Sequence, residues 1–222
     1  MPDGTWAVLV AAGRGDRLGG DRPKAFARLG ELPLLAEPLR RLDDCEAVDA
    51  IVVVAPPGWE EPVILLAEEV GAAKVSACVP GGDTRSASVR AGLDEVPDDA
   101  AVVLVHDAAR PLLPPGLVER LLEALSAGFD GAVPGLAVAD TVKRVRDGVV
   151  VETPPRHELV AVQTPQAFVA SVLRAAAGGE GSDCASLVEA AGGRVTVVPG
   201  DERLLKVTTA ADLERVAAWL GG

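Results

Sequence analysis

The sequence predicts an α/β fold, a doubly wound and mostly parallel sheet with a projecting β-hairpin arm. Two patterns carry that expectation. Short apolar runs alternate with longer stretches of helical periodicity, as strands and crossover helices must in a parallel sheet. Late in the chain this alternation breaks into two β-rich arms around Asp147-Gly148, a dipeptide that favours a tight hairpin turn.

The runs at 5–10 (TWAVLV), 50–55 (AIVVVA), 74–79 (KVSACV), 101–106 (AVVLVH), 131–138 (GAVPGLAV) and 194–199 (RVTVVP) read as strands. Their near-continuous apolar character suits strands buried on both faces. Helices are expected at about 34–44, 59–71, 84–95, 115–127, 166–177, 183–191 and 209–220. Between Asp140 and Phe168 the β-rich arms form either a projecting hairpin or an antiparallel edge of the main sheet. No long linker, repeat or low-complexity segment appears, so residues 1–222 read as one domain. Ligands in such folds bind beyond the carboxyl ends of the strands.

Composition narrows the function. The 222 residues suffice for one substantial core, and 49% of them are apolar while only 3% are aromatic, so Ala, Val and Leu must fill it. A net charge of −12 argues against general nucleic-acid binding, which needs broad positive surface. Cys45, Cys78 and Cys184 are odd in number and far apart, as free thiols in a reducing cytoplasm would be. His106 and His157 are the only histidines, too few for a His-rich zinc site. The amino terminus lacks a basic leader and its apolar run has the length of a strand, so neither a signal peptide nor a membrane span is expected.

Against this acidic background one segment is locally basic. From Gly13 to Arg28 there are five cationic residues and two aspartates, a net charge of +3. It follows the first strand and begins AAGRG. Small residues let backbone approach a ligand, and successive N–H groups in such a turn cradle anions. Arg17 and Lys24 add charge-assisted bonds suited to phosphate. An ordinary glycine turn would need no such cations. A P-loop would end in Gly-Lys-Ser/Thr, and a dinucleotide fingerprint would run straight into a helix; Gly19, Gly20 and Pro23 interrupt this one.

Three further stretches carry polar groups to strand ends. In PGGDTRSASVRAGL (80–93), the glycines allow backbone to read a flat polar base, or Asp83 or Thr84 simply caps a helix. In VHDAARP (105–111), Asp107 ends a buried strand, where it can hold a ribose hydroxyl, help bind Mg²⁺, or pair with Arg110 to stabilise the turn. In RLLKVTTAADL (203–213), Lys206 lies near the end of the sheet, and Thr209 with Asp212 resembles a capping box.

Taken in order, AAGRGDRLGGDRPKAF, GGDTRSASVRAGL, VHDAARP, DTVKRV, QTPQAF and LLKVTTAADL resemble the 2-C-methyl-D-erythritol 4-phosphate cytidylyltransferases. The resemblance implies a Rossmann-like homodimeric enzyme of non-mevalonate isoprenoid biosynthesis. It implies transfer of CMP from CTP to methylerythritol phosphate with Mg²⁺ as cofactor, and an arm at about 138–165 that dimerises. By the same resemblance Ala11, Ala12, Gly13 and Gly15 cradle the triphosphate, while Arg17, Lys24 and Lys206 have the catalytic roles. Gly82, Asp83 and Ser88 surround the cytosine and Asp107 contacts ribose. Arg110, Thr141, Arg156 and Thr164 hold the acceptor, some of them from the partner chain. No protein ligand to the metal is implied beyond a nearby Asp107. The sequence departs from the family at Ala25, where Gln is usual, at Leu204, where Asn is common, and at Cys184, where Glu is usual. A ribitol-phosphate cytidylyltransferase and a non-enzymatic nucleotide-binding regulator are the rival expectations.

Overall fold

The structure is a computed structural model that describes residues 4–13, 22–179 and 181–221. All six expected strands form: β1 (Thr5–Val10), β4 (Ala50–Ala55), β5 (Val75–Pro80), β6 (Val102–Asp107), β7 (Gly131–Ala137) and β12 (Val195–Pro199). They belong to one eight-stranded sheet. Its path runs β5, β4, β1, β6, β11 (Gln166–Val169), β7, with β12 also pairing with β7 and β10 (Val160–Val162) joining at the edge. The pairs β1–β4, β4–β5, β1–β6 and β7–β12 are parallel, whereas β10 and β11 run antiparallel to their neighbours. Strand order therefore reverses at β1, which has β4 on one side and β6 on the other.

Helices cover both faces. Side chains alternate across a strand, so Ala7 and Leu9 of β1 join one apolar cluster while Val8 joins another. The first cluster packs under α1 (Ala36–Asp43), α2 (Glu60–Glu69) and α4 (Leu117–Ser126). The second packs under α3 (Arg85–Leu93), α5 (Ala170–Ala176) and α6 (Cys184–Ala190). Leu9, Val52, Leu104 and Val105 are fully enclosed, and burial on both faces is why these strands read as unbroken apolar runs. Each such side chain contributes about 1.5–3 kcal/mol on transfer from water. A third, smaller cluster joins α7 (Ala210–Gly221) to the ribbon of β2 (Arg28–Leu29) and β3 (Leu32–Pro33), with Leu29, Leu34 and Val216 buried in it.

The stretch from 140 to 168 resolves into both alternatives at once. β8 (Arg144–Arg146) and β9 (Val149–Glu152) pair only with each other, forming the projecting arm. Asp147 (φ 50°) and Gly148 (φ 79°) both adopt the left-handed conformation that a two-residue hairpin turn demands. β10 is the antiparallel edge. The expected helix at 166–177 needs correction, because Gln166–Val169 is a strand inserted between β6 and β7, and helix begins only at Ala170. β10 and β11 pair with successive stretches of β7. They act as one bent strand whose register steps across Gln163–Pro165.

Candidate active site

The backbone leaving the central strands is stitched together at the carboxyl edge of the sheet. The Ala11 N–H donates to the Val54 carbonyl (2.8 Å), Ala108 N–H to Val10 (3.0 Å) and Gly81 N–H to Ala55 (2.8 Å). A cleft of about 710 Å³ opens there, beside the reversal of strand order. Its walls come from the segment after β1, the turn into α3, the end of β6 and Lys206.

Asp107 is the electrostatic centre. It ends β6 and is 7% exposed. Arg85 donates through Nε (3.1 Å) and pairs through Nη2 (3.1 Å), both to Oδ1. Lys206 Nζ donates to Oδ2 at 2.6 Å. Burial by itself would raise the carboxyl pKa, but the Arg85 guanidinium and then the Lys206 ammonium hold it at about 2. Burial likewise opposes the charge on Arg85, yet Asp107 and the Cys184 sulfur together outweigh it and the guanidinium pKa rises. Arg85 Nη1 also donates to the Cys184 sulfur at 3.6 Å, and burial pushes that thiol's pKa up despite the neighbouring cation.

The turn into α3 is close-packed. A Cβ on Gly82 would meet Ala87 Cβ at 2.6 Å, and one on Gly81 would run into Ala12 Cβ. Ser88 Oγ accepts from Gly82 N–H (3.2 Å) and donates to the Thr84 carbonyl (3.0 Å). Thr84 caps the helix, its Oγ1 accepting from Ala87 N–H at 3.0 Å. The capping explanation and the exposure of this turn to the cleft are therefore both true of one segment.

Behind Asp107 lies a buried polar relay. Thr164 Oγ1 accepts from Asp107 N–H at 3.0 Å and lies 3.1 Å from His106 Nδ1. The Arg110 carbonyl beside Nε2 can only accept, which leaves Nδ1 of the neutral ring to accept from the Thr164 hydroxyl. His106 Nε2 then carries the ring hydrogen and donates to the Arg110 carbonyl at 3.0 Å. One neutral tautomer satisfies every contact. Burial lowers the His106 pKa to about 4, against the pull of Asp107. The Arg110 guanidinium donates to the carbonyls of Leu204 (2.6 Å) and Val162 (3.4 Å). The buried Nε of Arg110 makes no hydrogen bond.

The expected residues fall into three groups. Ala11, Ala12, Gly13 and Lys24 line the cleft, as do Gly82, Asp83, Ser88, Asp107 and Lys206. Gly15 and Arg17 lie outside the described residues. Thr164 and Arg110 sit behind the cleft in the relay, whereas Thr141 and Arg156 are exposed and do not line it. Arg156 Nη1 donates to the Ala139 carbonyl at 2.7 Å, bracing the base of the arm. Of the departures, Ala25 is buried at the cleft wall, Leu204 lends its carbonyl to Arg110, and Cys184 receives Arg85. Among the described residues, reasoning from sequence missed Arg85. One signal was present: a cation in the first turn of a helix opposes the helix dipole and needs another reason to be there.

A cleft lined by a glycine-rich turn, a cation after β1 and a salt-bridged carboxylate suits a nucleotide. Comparison with known sequences makes this specific. The sequence model of the IspD family, 2-C-methyl-D-erythritol 4-phosphate cytidylyltransferase, matches residues 5–221. This chain belongs to the IspD family. A curated IspD-type relative from Frankia casuarinae, named 2-C-methyl-D-erythritol 4-phosphate cytidylyltransferase, is 47% identical over 96% of this chain and 80% of its own length. One of the same name from Rhodococcus jostii is 47% identical over 93% of this chain and 91% of its own. The solved Thermus thermophilus enzyme of that name superposes with a TM-score of 0.77 at 35% identity, covering 97% of this chain and 98% of that one. The 4-diphosphocytidyl-2C-methyl-D-erythritol synthase of Anaerococcus prevotii gives a TM-score of 0.85 at 26% identity, with 98% of both chains covered. The family match thus spans residues 5–221, the stretch that carries the arm included.

Proposed function

We infer that this chain transfers CMP from CTP to 2-C-methyl-D-erythritol 4-phosphate, giving 4-diphosphocytidyl-2-C-methyl-D-erythritol and pyrophosphate in the non-mevalonate pathway. Family membership supports the reaction. The observation that carries the site is the convergence of Lys24, the Gly82–Ser88 turn, Asp107 and Lys206 on one cleft.

The acceptor's phosphate oxygen attacks the α-phosphorus of CTP. The bond from that phosphorus to the bridging oxygen breaks, and pyrophosphate leaves with the electron pair. A phosphate monoester has a second pKa of about 6, so its dianion predominates at neutral pH and needs no general base. His106 suits this: it is buried, neutral and committed to Thr164 and Arg110. The difficulty is bringing two polyanions together, so catalysis rests on positioning and charge neutralisation. The backbone of Ala11, Ala12 and Gly13 borders the triphosphate, with Arg17, Gly15 and Lys24 from the same segment. Lys206 exchanges its Asp107 contact for the α-phosphate region. Gly82, Asp83 and Ser88 frame the cytosine, and Asp107 meets the ribose.

Mg²⁺ would be held chiefly by the phosphate oxygens of CTP, where it neutralises charge. The donor set fits that arrangement: among the described residues no cluster of three His, Cys, Asp or Glu could cage a metal, and the Asp107 carboxylate is already engaged by two cations. The acceptor would lie between Arg110 and Thr164 of one chain and the arm residues Thr141 and Arg156 of a second. A homodimer is supported by the arm itself, where Val145, Val149, Val150 and Val151 are each at least 50% exposed. No described helix is long and apolar enough to cross a membrane, and three unpaired cysteines suit the cytoplasm.

Pyrophosphate release with CTP and a panel of acceptors tests the reading. Turnover with methylerythritol phosphate and not with ribitol 5-phosphate is expected. Turnover with ribitol 5-phosphate alone would assign the rival acceptor, and nucleotide binding without turnover would make the chain a regulator.

A further inference from the structure

We propose that Arg85 is a positioning residue of the reaction, the permanent partner that keeps Asp107 charged and aimed while Lys206 is exchanged onto the nucleotide. The proposal rests on the reading that Asp107 works at the bound nucleotide.

The two cations on Asp107 are not equivalent. Lys206 reaches Oδ2 through a single contact, and its side chain is 43% exposed. It stands at the cleft with rotatable donors and a flexible stem, free to turn toward an arriving phosphate. Arg85 has a side chain only 28% exposed and holds Oδ1 through two of its nitrogens. Its third nitrogen is anchored on the sulfur of Cys184, at the start of α6. Three contacts from two separate elements fix the plane of the guanidinium. A planar fork held on both sides directs a carboxylate in a way an ammonium cannot. When Lys206 leaves, Oδ2 is released toward the cleft while Oδ1 stays bound. Asp107 then keeps its charge and has a free oxygen for a ribose hydroxyl.

The position of Arg85 adds a second consequence. It is the first residue of α3, directly after the turn that frames the base, and it pairs with the end of β6. One side chain therefore ties the base wall of the cleft to its ribose wall. A cation at a helix N-terminus gains nothing from the helix dipole, and Asp107 supplies what the dipole withholds.

A double-mutant cycle tests this with Arg85→Gln, Asp107→Asn and the double variant, each checked for folding by thermal melting. Small misplacement of a positioned group costs up to about a hundredfold in rate. Arg85→Gln should therefore lower kcat/KM for CTP by about tenfold to a hundredfold, with KM for methylerythritol phosphate changed less than about twofold. In the Asp107→Asn background the same substitution should change kcat/KM by less than about twofold, because the carboxylate it serves is gone. Arg85→Lys should recover part of the loss, and it carries the cycle if Arg85→Gln does not fold. Losses that multiply in the double variant would overturn the role of Arg85 while leaving Asp107 in place. Normal turnover by Asp107→Asn would remove Asp107 from the nucleotide site, and the proposal with it.

Discussion

Acidification should expose the buried histidine as a stability switch. His106 is fully enclosed, and its two ring nitrogens are committed to the Thr164 hydroxyl and the Arg110 carbonyl. Its pKa falls from 6.5 to about 4 because burial disfavours the imidazolium. In the unfolded chain the ring is free to take a proton at the ordinary value. Between pH 6.5 and about 4 the unfolded state therefore binds a proton that the native state refuses, and stability falls as pH falls. At 1.36 kcal/mol per pH unit the interval is worth on the order of 3 kcal/mol. That is a large share of the roughly 5–15 kcal/mol a domain possesses. Urea unfolding at fixed protein concentration, repeated from pH 8 to pH 4, gives the curve. His106→Gln should flatten the slope in this window while lowering stability at pH 7. Long-range ¹H–¹⁵N correlation should show Nε2 protonated and Nδ1 bare at neutral pH. A wild-type curve flat from pH 6.5 to 4, or an unchanged slope in His106→Gln, would refute the reasoning. Asp107 governs a lower window: its contribution is present above 3.8 and is lost as pH falls toward about 2.

Three other outcomes follow from the same geometry. Lys24→Ala should lower kcat by on the order of 10²–10³ through loss of one donor to developing phosphate charge, in a chain that still folds; near-normal kcat in the folded variant would remove the role. Mixing inactive Lys24→Ala and Arg156→Ala chains under subunit exchange should restore activity, since a mixed dimer holds one intact site; inactive mixed dimers, verified by mass, would refute action of Arg156 across the interface. Phe168→Ala should destabilise the chain by about 3–5 kcal/mol in denaturant unfolding, because Phe168 is fully buried in the second apolar cluster, whereas a cost under about 1 kcal/mol would mean that the cluster closes over the gap.

What was legible in the sequence was what local pattern encodes. Six strands buried on both faces announce themselves as apolar runs, and Asp147-Gly148 announces its turn. Gln166–Val169 does not, for its four residues pass into α5 without an intervening loop, and a buried Gln166 breaks the apolar pattern. The cleft was legible through its glycines and its cations. Arg85 was not, because its meaning depends on an aspartate 22 residues away that only sheet order brings within 3.1 Å. Thr164 and His106 were invisible as a pair for the same reason, their contact spanning 58 residues.

The bent strand formed by β10 and β11 divides this part of the chain by its tolerance of length change. Val160–Val162 and Gln166–Val169 are paired with β7 or β6, and between them Thr164 is clasped to the Asp107 backbone. One residue inserted there would turn every following side chain to the opposite face, putting Phe168 outside the core and withdrawing the hydroxyl that His106 and Asp107 share. From Val138 to Leu159 the described backbone has no partner strand in the main sheet. Residues can be added or removed around the Asp147-Gly148 tip at little cost to the cleft. The Asp147-Gly148 tip therefore has a latitude in length that the ten residues from Val160 to Val169 do not.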